Sequence, residues 1–370
     1  MSSRRAPPLP EYRISPLTSR ELPDLGVYYA DYARRSRTDT ERSVAEALPG
    51  EERAAYLQWR AVRNPWRRDD TPIGHLIRDE SGRIVGGHMI YALRLRLRGR
   101  CLLAGCSGDF YVDEAARTQG FFVFRRFLGE RQFDVHLGTT CNDLSGRLWE
   151  TSRASPIPSS DHEHVAALVL APLVEEGALR RGLPARPLRW TATVERWLRT
   201  LSSLRRAGVS IEESDDWEEL ASIASAASED ELVTDRSVPY LTWSYADRFA
   251  RDILRRRAYV WRDRDGHQGW FSVGFGRRGS RRQIRSAHLV DFVDPSGGAA
   301  LPSVLPAILD AVRADADLFS IAGRADLSQW LSGGECRRRT FPRPIAWLIA
   351  KDHDQLDLAS RAVIVDADRV

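Results

Sequence analysis

Residues 75–78 (HLIR) form a short apolar run, residues 79–82 (DESG) a polar turn, and residues 83–98 a longer run rich in apolar positions. Strand-length runs on either side of a short turn containing Asp and Gly predict a hairpin. A third strand is predicted over 102–112, ending in Phe110, Tyr111 and Val112. It leads through a turn, Arg117-Thr118-Gln119-Gly120, into an apolar segment that reads as a helix from about Phe121. Residues 133–139 (FDVHLGT) give a further short strand, followed by the segment Asn142–Trp149 (NDLSGRLW). Farther on, Trp190, Val194, Trp197, Leu198 and Leu201 recur at helical spacing in a basic background, which predicts an amphipathic helix over 186–206.

The pattern then repeats. Tyr56-Leu57-Gln58-Trp59 returns as Tyr240-Leu241-Thr242-Trp243, and the hairpin turn at 79–82 returns at 262–266, between the apolar runs 258–261 and 270–275. Asp109-Phe110 returns as Asp291-Phe292, Asp143-Leu144-Ser145 as Asp326-Leu327-Ser328, and Trp149 as Trp330. The offsets lie between 181 and 184 and keep one order, so the 370 residues divide into two similar halves. The organisation expected is a loose arm at 1–11, a first domain at 12–185, a linker helix at 186–207 and a second domain at 208–370.

A strand that passes through a glycine-containing turn into a helix start presents unpaired backbone N–H groups at the positive end of the helix dipole, a seat for phosphate or pyrophosphate. The spacing is neither GxxxxGK[ST] nor GxGxxG after a strand, which excludes the nucleotide P-loop and the dinucleotide fingerprint. Val112, four residues, Arg117, two residues, Gly120, one residue and Phe122 instead resemble motif A of the GNAT acyltransferases, V-x4-[QR]-x-x-G-x-[GA], which cradles the pyrophosphate of coenzyme A. Phe122 departs from the small residue found there. The segment from Asn142 resembles the family's N-x-x-A-x-x-L-Y, with Asn142 and Leu148 matching and Trp149 in place of the tyrosine that protonates the departing thiolate. An indole has no proton to release at neutral pH, so the usual general acid is missing.

The resemblance implies an α/β (α+β) architecture of two tandem GNAT-like domains, each a mixed, mainly antiparallel sheet flanked by helices. It implies acyl-CoA as co-substrate, bound by Phe110, Tyr111, Val112, Arg117, Thr118, Gln119, Gly120, Phe121, Phe122, Asn142 and Trp149. The implied activity is transfer of the acyl group to the amine of a small molecule, such as an amino sugar or amino acid. An acyl carrier protein as donor, or a non-catalytic protein that binds an acyl donor, are the alternatives. An amine that attacks a thioester must lose a proton, and the candidate bases on the strands around the motif are His136, Asp109 and His88. His136 has a suitable unperturbed pKa but alternates with Val135 and Leu137. Asp109 recurs as Asp291, which argues for a shared structural role as strongly as for catalysis. In place of Arg117 and its turn the second half has Pro295–Pro302 (PSGGAALP), so the first half is expected to bind the cofactor and the second to wall the substrate cleft.

Composition narrows the class. Hydrophobic residues make up 42%, no apolar run approaches the ~18–20 residues that span a bilayer, and the start MSSRRAPPLPEYR lacks an apolar core. A cytoplasmic protein without membrane insertion is expected. Four cysteines show no CxxC pair, and Asp161-His162-Glu163-His164 reads as a loop or cap rather than a metal site, so no metal is expected. The net charge of +4 rests on arginine, since Lys351 is the only lysine. Arg94, Arg96, Arg98 and Arg100 are predicted to alternate along one strand face. No nucleic-acid-reading signature accompanies them, and no nucleic-acid partner is expected.

Overall fold

The computed structural model describes residues 11–35, 48–182, 208–226, 230–278, 283–322, 336–351 and 355–363. The predicted linker helix and the repeats at 326–330 lie outside these residues. The first half runs β1 (Arg13–Pro16), α1 (Leu22–Arg35), α2 (Gly50–Leu57), β2 (Gly74–Arg78), β3 (Ile84–Leu97), β4 (Arg100–Val112), α3 (Arg117–Gly129), β5 (Val135–Gly138), α4 (Asp143–Thr151), β6 (Ser155–Pro156), β7 (His162–Ala167) and α5 (Leu170–Arg180). The second half runs β8 (Ser210–Glu213), α6 (Trp217–Ser225), β9 (Leu232–Thr234), α7 (Val238–Leu241), β10 (Arg256–Arg262), β11 (Gln268–Arg278), β12 (Ile284–Val293), α8 (Leu301–Val312), β13 (Leu318–Ala322), β14 (Arg337–Thr340), β15 (Trp347–Ala350), α9 (Gln355–Arg361) and β16 (Ala362–Val363).

Each half builds a mixed sheet. One has the order β1-β2-β3-β4-β5-β15-β6, and the other β14-β7-β13-β12-β11-β10-β8. Within each, long antiparallel strands lead to a parallel pair, β4 with β5 and β12 with β13, and the first sheet also takes in β9, against β3, with β16 parallel to it. The order shows an exchange: β15, from the second half, pairs with β5 of the first sheet, and β7, from the first half, pairs with β13 of the second. A cut near residue 185 therefore separates the halves in sequence but not the sheets. Each sheet would end in an unpaired parallel-strand edge without the other half's strand.

The packing has the same reciprocity. Helix α3 covers the outer face of the first sheet and α8 the outer face of the second. The inner faces meet in one shared core. At its centre Trp59 and Trp243 stack with ring centroids 4.8 Å apart, and each indole N–H donates to the other residue's carbonyl, at 3.2 and 3.1 Å. Both sit in π-helical turns, Gln58–Val62 and Thr242–Ala246, where the extra residue per turn re-aims the side chain. The hairpin turns are also repeated: Asp79 accepts the N–H groups of Ser81 and Arg83, and Asp263 those of Asp265 and His267.

The repeated aspartates explain themselves structurally. Asp109 adopts φ +45° at a bulge in β4, and its carboxylate receives Arg53 from α2 and the Tyr91 hydroxyl, while Tyr29 donates to its carbonyl. Asp291, beside the bulge between β11 and β12, receives both arms of Arg236 at 2.7 and 2.9 Å. Both pairs are buried.

Three local expectations are corrected. Helix α3 begins at Arg117, four residues earlier than the pattern suggested, because a 3-10 turn at Glu114–Ala116 feeds straight into it. The four arginines do not share a strand face: Arg98 takes φ +49° in the hairpin turn and pairs with Asp230 at 2.9 Å, and Arg94 pairs with Asp235. His162–Glu163–His164 is buried strand, not loop. Among the described residues no helix is long and apolar enough to cross a membrane.

A chain ending at residue 185 should aggregate, and co-expression with residues 186–370 should recover a soluble complex; a soluble, cooperatively melting 1–185 fragment would contradict the exchange. Asp109→Asn keeps a residue that tolerates positive φ but leaves Arg53 buried without its charge partner. Chemical denaturation should show a loss of about 3–5 kcal/mol, and a loss below about 1 kcal/mol would remove the pinning role.

Candidate active site

The parallel register of β4 and β5 stops at Ser107 opposite Gly138, while β4 continues to Val112. Past this vertex, residues 108–112 pair with β3 on one side only, so among the described residues their other edge carries no strand. An open edge of this kind offers alternating N–H and C=O groups to an extended amide-containing ligand. These residues are half-buried and line the opening. Glycines border the vertex, and a Cβ on Gly138 would strike Trp149 and Cys141 at 2.7–2.8 Å.

Beside the open edge lies the start of α3. Its first turn is Arg117-Thr118-Gln119-Gly120, and the N-cap, Ala116, supplies no side-chain hydrogen bond. Gly120 lets the helix lie against β4: a Cβ there would touch Phe110 and Val112 at 3.4 Å. Arg117 is 59% exposed and lies 3.6 Å from Glu114, so its guanidinium can turn to an anion at the helix start. On the outer side of this turn a cavity of about 660 Å³ is lined by Tyr12, Ile14, Gln119, Phe121, Phe122, Arg125 and Arg126. Phe121 and Phe122 are 42% and 50% exposed.

The second half closes the corresponding place with its own carboxylate. Asp294, the residue after β12, accepts the N–H of Ala300 at 2.9 Å and both the N–H and hydroxyl of Ser296 at 2.8 and 2.7 Å. Asp113, the residue after β4, turns its carboxylate away to Tyr28 and Arg35, and backbone bonds close the turn into α3, from Ala116 N–H to Asp113 and from Arg117 N–H to Glu114.

No family model and no curated protein matches the sequence, but solved structures do. N-myristoyltransferase from Saccharomyces cerevisiae, solved with bound myristoyl-CoA, superposes with a TM-score of 0.59 at 12% identity, covering 98% of this chain and 92% of that one. A conserved protein of unknown function from Enterococcus faecalis V583, described as a probable N-acyltransferase, gives 0.52 at 9% identity over 92% and 72% of the two chains. A GCN5-related N-acetyltransferase from Kribbella flavida gives 0.52 at 11% identity over 93% and 72%. The chain has a tandem GNAT fold.

Within this GNAT frame the sequence-derived residues separate. Phe110, Tyr111, Val112, Arg117, Thr118, Gln119 and Gly120 gather at the open edge and helix start, and Phe121 and Phe122 face the outer cavity. Asn142 caps α4, accepting the N–H groups of Leu144 and Ser145 at 3.0 and 2.9 Å. Trp149 is buried against Phe124 and forms the floor under Gly138. Asp109 is held by Arg53 and Tyr91. His136 is fully buried under α3, edge-on to Phe127 at 4.8 Å and Phe133 at 5.9 Å. His88 alone of the three candidate bases bonds to the vertex: its Nε2 is 2.8 Å from the Ser107 hydroxyl. Ser107, His75 and Asp294 escaped the sequence reading, because a lone serine, histidine or aspartate carries no spacing signal. The nearest hint to His75 was its position in the strand HLIR.

Burial, reinforced by Lys351, pulls His136 down to about 4, and burial with nearby Arg126 pulls His75 to about 4. Burial also holds His88 well below the usual range. In the unfolded chain these rings take up protons near pH 6.5, so they favour folding fully above that pH and progressively less as pH falls towards 4. Stability should drop between pH 6.5 and 4.5, by at most about 1.4 kcal/mol per pH unit for each histidine. His136→Leu should flatten that slope by one proton, and an unchanged slope in denaturation at several pH values would show that His136 is not held neutral.

Proposed function

We propose that this chain is an acyl-CoA-dependent N-acyltransferase that passes an acyl group to the amine of a small molecule of amino sugar or amino acid type. The observation that carries the reading is that the first half sets a helix start with no side-chain cap beside a strand edge that no strand covers among the described residues. The pyrophosphate would sit on the amides of the first turn of α3 with Arg117 beside it, and the pantetheine arm would run along 110–112 towards the vertex, passing Asn142. The outer cavity, with Phe121, Phe122, Arg125 and Arg126, suits an aromatic base and a phosphate at the far end of the donor.

At the vertex the amine nitrogen attacks the thioester carbon, the C–N bond forms and the C–S bond breaks. A backbone N–H near Tyr111 or Val112 receives the oxyanion. Of the candidate bases, His88 is favoured by its contact with Ser107, with His136 and Asp109 supporting the strands that frame the cleft. Trp149 contributes packing, so the thiolate takes its proton from water. The second half, with Asp294 in the anion seat, walls the acceptor side. The myristoyl-CoA carried by the yeast structure of the same fold supports an acyl-CoA as donor.

Calorimetry with acetyl-CoA, free CoA and a longer acyl-CoA tests the assignment. We expect micromolar binding, weakened about 10- to 100-fold by Arg117→Ala through loss of a charge-assisted contact. Unchanged affinity in that variant would remove the pyrophosphate from this seat. Absence of binding to all three would point to an acyl carrier protein as donor, or to a retired catalytic fold.

A further inference from the structure

Three histidines lie under α3, and two of them line up with the vertex. The Ser107 hydroxyl, half-buried on the last paired residue of β4, meets His88 Nε2 at 2.8 Å. His88 is fully buried between Phe110 and Phe127, at 4.9 and 5.1 Å, and faces the bulge of β4. Its register partner on β2 is His75, whose ring is parallel to it within 6° at a centroid distance of 6.3 Å. His75 Nε2 in turn lies 3.7 Å from a carboxylate oxygen of Glu130, at the C-terminal end of α3 and a quarter exposed. The Nδ1 atoms of both rings are buried without a hydrogen-bond partner. Two such orphans on facing rings are costly unless something joins them, and one bridging water would satisfy both.

We infer that the Ser107 hydroxyl takes the proton of the attacking amine, and that this proton leaves through His88, His75 and Glu130 beneath α3. The inference rests on the acyl-transfer reading above. As the C–N bond forms, the amine's proton passes to Ser107 Oγ and the Oγ proton passes to His88 Nε2. His88 releases its Nδ1 proton, by way of a bridging water, to His75 Nδ1; His75 passes its Nε2 proton to the Glu130 carboxylate, which hands it on to solvent. The C–S bond breaks and the thiolate takes one proton from solvent, so protons balance. A ring that accepts at one nitrogen while releasing at the other never holds charge, which suits its dry surroundings; the charged groups near the path include Arg126, Glu130 and Lys351, whose ammonium donates to the Glu130 carbonyl. Ser107 is the catalytic group, and His88, His75 and Glu130 are positioning and relay partners.

The test uses the full chain and acetyl-CoA with water as acceptor, following free CoA by chromatography and donor affinity by calorimetry. Ser107→Ala should slow CoA release about 100-fold with donor Kd unchanged. Glu130→Gln, at the surface and away from the cleft, should slow it about 10-fold. The wild type should give a curved proton inventory in mixed H2O/D2O that becomes linear in Ser107→Ala, a change a purely structural serine would not produce. Wild-type rates in Ser107→Ala with intact donor binding would overturn the relay alone. Loss of donor binding in the wild type would overturn the acyl-CoA reading and the relay with it.

Discussion

Asp109 is the point on which the cleft turns. A non-glycine residue at positive φ is held there only because its surroundings over-determine it: Arg53 and Tyr91 take the carboxylate and Tyr29 takes the carbonyl. A bulge bends its strand and ends regular pairing. Once β4 turns at Asp109, β5 no longer follows it beyond Gly138, and next to a helix start lies a strand edge that no strand covers among the described residues. The second half repeats the device with Asp291 and Arg236, which makes it a property of the duplicated unit rather than of one site.

What distinguishes the halves is what fills the opening. Both have a strand, a tight connection and a helix whose amide end points at the gap. In the second half Asp294 ties down that connection from within the chain, accepting the N–H groups of Ser296 and of the N-cap Ala300. In the first, the Asp113 carboxylate is drawn off by Tyr28 and Arg35, and only backbone carbonyls of Asp113 and Glu114 close the turn into the helix. One aspartate rotated in or out decides whether a side-chain carboxylate ties down the connection before the helix.

The strand exchange ties these halves into one folding unit. With β15 completing the first sheet and β7 the second, and with Trp59 and Trp243 bonded to each other's carbonyls, neither half buries its own core alone. The buried histidines beneath α3 are the conspicuous departure from an apolar interior. Their buried ring nitrogens without partners cost stability there.

The sequence by itself determined what depends on neighbours along the chain. The spacing of Val112, Arg117 and Gly120 marked the strand-to-helix turn, the hairpins at 79–82 and 262–266 followed from turn chemistry, and the repeat of Trp59 in Trp243 and of Asp109 in Asp291 revealed the duplication. The tertiary structure decided everything that depends on residues far apart. Nothing local in residues 162–167 says that they pair with 318–322, since a strand's partner is set by whichever edge is left unpaired once the sheets form. Nothing local distinguishes Asp113 from Asp294, because the difference lies in whether Tyr28 and Arg35 stand within reach. Ser107 is an unremarkable serine until the last register pair of β4 and β5 falls on it and His88 comes across from β3. Periodicity reports which face of an element is buried, and only packing reports what that face meets.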